Sequence, residues 1–241
     1  MQRQLRGIWL GRRRYAPVND LQYRLHAGRK YETVDTVLLL EHEPVVTLGR
    51  GSRKAHLLAP ASILAERGVE VAETDRGGDV TLHAPGQLVA YPIVDLSPNR
   101  RDVRRYVRDL TEVMRRLAES YGVAAGNSPA WVGLWADRGA AGSWSGFERA
   151  RHPAKLGAIG VRISRWIAMH GFAFNLTTDL AWFDLIVPCG IRDYGVTSIE
   201  ELTGERPLVK DAAGRALALT AEVLDAEVIE FCDHSTHVAW R

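Results

Sequence analysis

Cysteine is nearly absent: Cys189 and Cys232 are the two thiols in a chain of 241 residues. Lying 43 positions apart, they form neither a disulfide framework nor a CxxC metal site, and their scarcity fits a reducing compartment. An excess of one charge is missing too. The formal net charge of +2 is too small to bind nucleic acid through the field of the whole protein. No apolar run approaches the ~18 residues of a membrane span. The opening "MQRQLRGIWLGRRRY" lacks the apolar segment of a signal peptide, so neither a membrane nor secretion is expected. What is present, 46% hydrophobic and 25% charged residues, describes an ordinary globular protein, read as a single domain over residues 1–241.

Strand and helix patterns alternate without a repeat or a linker. "GIWLG" reads as a first strand, and Leu21 and Leu25 at i,i+4 mark a helix over 17–29. "TVDTVLLLEH" (33–42) reads as a buried strand, and "PVVTLGRGS" as a short strand entering a glycine turn. A short helix near 62–67 and strands at 69–74 and 88–96 follow. The clearest helix spans 101–121, where Val103, Tyr106, Leu110, Val113, Met114 and Leu117 recur at three- and four-residue steps and Gly122 closes the run. Arg101, Arg104, Arg105, Arg108, Arg115 and Arg116 take the other side, as a solvated face or a docking surface for an acidic partner. "PAWVGLW" (129–135) reads as a strand, 136–154 as a long loop, and "KLGAIGVRI" with "WIAMHGFAFNL" as paired strands. Leu217, Ala221, Leu224, Val228 and Phe231 mark a C-terminal amphipathic helix. Consecutive strands with short turns predict an α/β (α+β) fold with a mixed, mostly antiparallel sheet flanked by helices, not a Rossmann repeat.

Chemistry concentrates in four stretches. In "LIVPCGI" (185–191), Pro188 and Gly190 place Cys189 on a turn, the setting of a nucleophile as much as of a buried thiol. Cys232 follows Phe231 at the end of an apolar face, and burial explains it; Cys232, His234 and His237 lack metal-finger spacing. A cysteine nucleophile needs a nearby cation or base, and "RHPAKLGAIG" offers Lys155. "RGGDVTLHAPGQ" (76–87) combines Arg76, His83 and Gln87 with glycines that let amides approach an anion. "MHGFAFNL" adds His170 and Asn175 in a strand, with no role assigned to the histidine. A phosphate loop is excluded, because "GRGSRK" lacks the GxxxxGK[ST] pattern.

In order and spacing these stretches resemble one family, the octanoyl-[acyl-carrier-protein]:protein N-octanoyltransferases, also called lipoyl(octanoyl) transferases or lipoate-protein ligase B. Its signature appears here as Arg76, Gly77, Gly78, Thr81, His83, Pro85, Gly86 and Gln87, then Lys155 to Gly160, His170 to Asn175 and Ile186 to Ile191. Weaker likeness runs from "GIWLG" through "VTSIEELTG". The resemblance implies the fold shared by biotin–protein and lipoate–protein ligases, and a cytoplasmic acyltransferase without cofactor or metal. Octanoyl-acyl carrier protein is the implied donor. Lipoyl domains of 2-oxoacid dehydrogenases and the glycine-cleavage carrier protein are the implied acceptors. Cys189 would carry the octanoyl thioester and Lys155 would favour its thiolate. The implied substrate site comprises Arg76, Gly77, Gly78, Asp79, Val80, Thr81, Leu82 and His83, then Ala158, Ile159 and Gly160, then Gly171, Phe172 and Ala173.

Oxyanion donors are expected among the amides of Gly77, Gly78 and Cys189, and the base for the second half-reaction is Lys155, with His83 second. The arginine stripe of 101–116 and Arg12–Arg14 are the docking candidates for an acidic carrier. Two positions depart from the family pattern, Leu82 for an aromatic residue and Ala84 for glycine, and they bear on the shape of the pocket. Three rivals stand beside this reading: an ATP-dependent lipoate or biotin ligase, which forms an adenylate and does not require Cys189, a catalytically silent lipoyl-domain binder, and a cysteine hydrolase.

Overall fold

The computed structural model describes residues 2–97, 99–191 and 193–236. β1 (Arg3–Arg13) runs into α1 (Tyr15–Gly28), and β2 (Val34–His42) turns tightly into β3 (Val45–Leu48). α2 (Ala61–Glu66) and β4 (Glu70–Glu73) precede β5 (Val80–His83) and β6 (Gln87–Ile93). α3 (Val103–Glu119) leads to β7 (Ala125–Gly126), β8 (Leu134–Asp137) and the hairpin β9 (Pro153–Ser164) and β10 (Ile167–Asn175). α4 (Ile199–Thr203), α5 (Val209–Val223) and β11 (Ala226–Asp233) follow.

The main sheet has the order β11-β1-β2-β6-β10-β9-β8-β7, and β4-β3-β5 form a second, smaller sheet. β1 runs parallel to β2 and β11, while the other neighbours in the main sheet are antiparallel, so the sheet is mixed and mostly antiparallel. Central strands are apolar on both faces because both faces are covered. Val37 and Leu39 of β2 point to the side where Leu110, Met114 and Leu117 of α3 pack beside Ala213 and Leu217 of α5. Leu38 and Leu40, one residue out of phase, meet Val18 and Leu21 of α1 on the opposite side. The small sheet has its own core, in which Val46, Val80 and Leu82 pack on Leu64, Phe183 and Leu185.

Three sequence readings change. The C-terminal helix stops at Val223, and Val228 and Phe231 lie on β11 instead. Their helical spacing from Leu224 is coincidental: Asp225 adopts φ 53°, the turn reverses the chain, and Ala226–Asp233 pairs along β1 as an edge strand. Cys232 is therefore half-buried on that strand and not the end of a helix face. There the neighbouring Glu230 carboxylate pushes its thiol up. His237 lies outside the described residues, and among those described no three His, Cys, Asp or Glu side chains converge as metal ligands. Next, "PAWVGLW" is not a strand until Leu134, because residues 129–133 form a run of bends. The loop read over 136–154 shortens to 138–152, and it returns Phe147 to a buried aromatic group with Trp131, Trp135 and Tyr194. Among the described residues no helix is long and apolar enough to cross a membrane.

Candidate active site

Cys189 sits on a single tight turn, Pro188–Gly190, with φ 54° and ψ 21°. This left-handed conformation costs a non-glycine residue about 1–2 kcal/mol, so the surroundings must hold it. They do so through Val187 N–H, which donates to the His56 carbonyl at 2.7 Å, and Ile191 N–H, which donates to the Pro188 carbonyl at 3.0 Å. Gly190 is also left-handed, and a Cβ there would lie 2.8 Å from Asp79 Oδ2 and from His56 Cε1. Those two side chains are joined to each other, Nδ1 to Oδ2 at 2.5 Å. Asp79 also accepts from the Arg53 and Val80 amides through Oδ1, which ties the turn to the loop at 49–56.

Across the same cavity, of about 370 Å³, stands Lys155. It is the third residue of β9 and is 4% exposed. A bulge in the β8–β9 pairing sets Trp135 directly opposite it. Its ammonium lies 5.0 Å from the centre of the Trp135 ring and donates to the Val132 carbonyl at 3.2 Å. Among the described residues no carboxylate pairs with it. A buried ammonium held by one carbonyl and a ring face is under-compensated, and an anion entering the cavity would relieve that cost.

Arg76 is the second buried cation. It donates to the Thr47 carbonyl at 2.7 Å and to its hydroxyl at 2.8 Å, again without a carboxylate partner among the described residues. Burial pushes its guanidinium down, and Cys189 is the foremost group opposing that. Gly49 makes this packing possible. A Cβ at Gly49 would fall 2.4 Å from the Gly78 carbonyl oxygen and 2.8 Å from Arg76 Nη1. Because the closer obstacle is backbone, Gly49→Ala is expected to destabilise the fold by about 1–3 kcal/mol. A denaturant melt tests this; an unchanged midpoint refutes it.

The far wall of the cavity carries Tyr15, His83, Tyr91 and His170. His83 Nδ1 meets Gln87 Oε1 at 2.7 Å, and Gln87 Nε2 donates to Asn175 Oδ1 at 2.9 Å, so the proton of His83 resides on Nδ1. Behind Tyr91, His42 donates from Nδ1 to the Arg13 carbonyl, and its Nε2 accepts from the Tyr91 hydroxyl at 3.0 Å. Burial is the main cause that lowers all three histidines, His42 and His170 to about 4 and His83 to about 3. The folded chain keeps them uncharged, whereas the unfolded chain protonates them below about pH 6.5. Unfolding in acid therefore takes up protons. Stability is complete above about pH 6.5 and falls as pH drops from there toward 4. Thermal melts between pH 7.5 and 4.5 should show a progressive loss of Tm; a flat Tm across that range refutes it.

The sequence-predicted site assembles with specific exceptions. Arg76, Gly78, Asp79, Thr81, His83, Lys155 and Cys189 line the cavity together, as do 158–160 and 171–173. Gly77, Val80 and Leu82 do not. Strand alternation in β5 turns Thr81 and His83 to the cavity and Val80 and Leu82 into the small core, while Gly77 N–H is spent on the Val161 carbonyl. Leu82 and Ala84 therefore pack the small core and do not shape the pocket. Sequence reasoning missed Tyr15, Tyr91, Trp131 and Val132, which also line the cavity. None lies in a motif: Tyr15 arrives from α1, Tyr91 from β6, and Trp131 and Val132 from the segment before β8. The arginines of α3 lie on the far face of the main sheet, away from the cavity.

The model of the lipoyl protein ligase A/B catalytic domain matches residues 15–219. An octanoyltransferase of Chloroflexus aurantiacus (strain J-10-fl) is 44% identical over 221 residues, covering 91% of this chain and 93% of that protein. One from Myxococcus xanthus is 47% identical over 198 residues, or 82% of this chain, and the match spans 50% of that longer relative. In fold, the chain resembles a bi-partite lipoate protein ligase of Thermoplasma acidophilum, with a TM-score of 0.70 at 14% identity over 95% of this chain and 86% of that one.

Proposed function

This chain belongs to the octanoyltransferase family, a family of acyltransferases, and on that premise we propose that it moves octanoyl from acyl carrier protein to a lysine of a lipoyl domain through a thioester on Cys189. The observation that carries the proposal is that a strained, presented thiol and a buried ammonium without a carboxylate partner among the described residues line one cavity. A neighbouring cation favours the thiolate, the reactive form.

In the first half-reaction the Cys189 thiolate attacks the carbonyl of the octanoyl thioester. The carrier's sulfur leaves and takes a proton from the Lys155 ammonium. Lys155 is then neutral. In the second half-reaction a neutral lysine amine of the lipoyl domain attacks the Cys189 thioester, gives its proton to Lys155, and expels the Cys189 thiolate. The cycle closes with both groups in their starting states. His83, lowered to about 3, binds protons too weakly at neutral pH to serve as this base. The oxyanion needs backbone donors, each worth ~3 kcal/mol. Gly77 and Gly190 N–H already serve the Val161 and Val187 carbonyls, which leaves Gly78 and Cys189 as the donors proposed. Ala158, Ile159, Phe172 and Ala173 offer an apolar wall for the acyl tail, whose burial supplies roughly 5 kcal/mol at ~0.8 per carbon.

The test is to incubate the protein with octanoyl carrier protein in the absence of ATP and map the adduct by peptide mass spectrometry. Octanoyl on the peptide containing Cys189 is the expected result. An adduct on Cys232, or transfer that requires ATP, overturns it.

A further inference from the structure

If the donor is a carrier protein, it must dock beside Cys189, and neither basic segment picked out in the sequence serves that purpose. On α3, Arg115 and Arg116 pair with Glu112, Arg108 approaches Asp102, and the helix lies across the main sheet from the cavity. Near the N-terminus, Arg12 pairs with Glu41 and Arg14 with Glu70, while Arg13 donates to the His234 and Ser235 carbonyls.

The loop after β3 differs. Arg50, Arg53 and Lys54 fall within five positions and are exposed, and among the described residues none has a carboxylate within ion-pair distance. The loop that carries them is fastened to the site by its backbone. Arg50 N–H donates to the Arg76 carbonyl at 3.1 Å and Gly51 N–H to the Gly78 carbonyl at 3.0 Å. Its Gly51 lines the cavity, and its other end, through the His56 carbonyl, holds the Cys189 turn. The three cations border a depression shared with Ser52, Thr74 and a single carboxylate, Glu73, which leaves the lining net positive. They form a basic rim rigidly joined to the nucleophile's turn, on a chain with little net charge.

We propose that this rim, Arg50, Arg53 and Lys54, is the docking surface for the acidic face of the acyl carrier protein that delivers the thioester. The inference rests on the donor assigned above. Opposite charge on the loop whose Gly51 lines the cavity steers the carrier and sets its register, so that the thioester arm enters beside Gly51 and meets Cys189. Exposed charges act over about 10 Å at 0.1 M salt, so carrier-dependent acylation should weaken as ionic strength rises.

The test compares two donors in the first half-reaction, octanoyl carrier protein and octanoyl-pantetheine, which lacks both the protein and the phosphate. The triple variant Arg50→Glu, Arg53→Glu, Lys54→Glu should lose at least tenfold in kcat/KM with the carrier and less than twofold with octanoyl-pantetheine. Retained small-donor activity also shows that the variant is folded. Arg104→Glu with Arg105→Glu, on α3, should leave both rates within twofold. An unchanged rate of the rim variant with the carrier overturns the proposal, as does an equal loss with both donors. A matching loss with octanoyl-phosphopantetheine also overturns it, because the loop would then read the phosphate and not the protein. So does a defect confined to transfer onto the lipoyl domain. If the unmodified protein forms no Cys189 adduct with either donor, the function proposed above fails instead, and the two failures are distinct.

Discussion

Replacing Cys189 with serine is expected to lower octanoyl transfer by at least about a thousandfold, because both proposed half-reactions pass through the covalent nucleophile that it removes. Serine preserves the size of the side chain and introduces no clash, so the turn at Pro188–Gly190 and its bonds to His56 should persist. A hydroxyl is far harder to ionise than a thiol, and the ammonium of Lys155 cannot make up that difference. Cys232→Ser is the matched control. Cys232 lies half-buried on β11, outside the cavity, and its removal should leave transfer within twofold. Transfer to an isolated lipoyl domain, followed by intact mass, reads both variants. A Cys189→Ser protein that keeps a tenth of the activity would show that the thiol is not the nucleophile.

Lys155 should divide the two half-reactions. Lys155→Met removes charge and base together, and a positioned acid–base group contributes typically about 10²–10⁴-fold, so overall transfer should fall within that range. Lys155→Arg keeps a positive charge that does not give up its proton. In that variant the carrier's sulfur can still leave as a thiolate and take its proton from water, so the Cys189 thioester should form and then accumulate, because nothing accepts the proton of the attacking amine. Single-turnover mass spectrometry with the acceptor present distinguishes the two. Equal loss in both half-reactions of Lys155→Arg rejects the base role. Stability should move the other way from activity. Lys155 is buried beside Trp135 without a carboxylate partner, so Lys155→Met removes an under-compensated charge and should not lower Tm.

These outcomes depend on geometry that the primary structure carries unevenly. The continuous apolar, β-branched run of "TVDTVLLLEH", the apolar spacing of α3 and the two runs of the β9–β10 hairpin are local signals, and local signals survive into the fold. Where spacing was ambiguous it misled. Leu224, Val228 and Phe231 fit a helical step, but a left-handed Asp225 and a vacant edge on β1 drew the last segment into the sheet. Tertiary pairing overrode periodicity there.

By itself the sequence determined the mixed sheet, the presentation of Cys189 between Pro188 and Gly190, and the chemical identity of Lys155, Arg76 and His83 as its companions. These are properties of residue type and local backbone freedom. Only the tertiary structure decided which of them share a cavity. It turned Val80 and Leu82 away from that cavity, set Lys155 against Trp135 through a bulge, and lowered His83 through burial. It also placed the arginines of α3 on the far face and the cations at 50–54 on the loop whose Gly51 lines the cavity. The reason is physical: desolvation, charge pairing and sidedness are properties of surroundings, and those surroundings come from segments far apart in the chain.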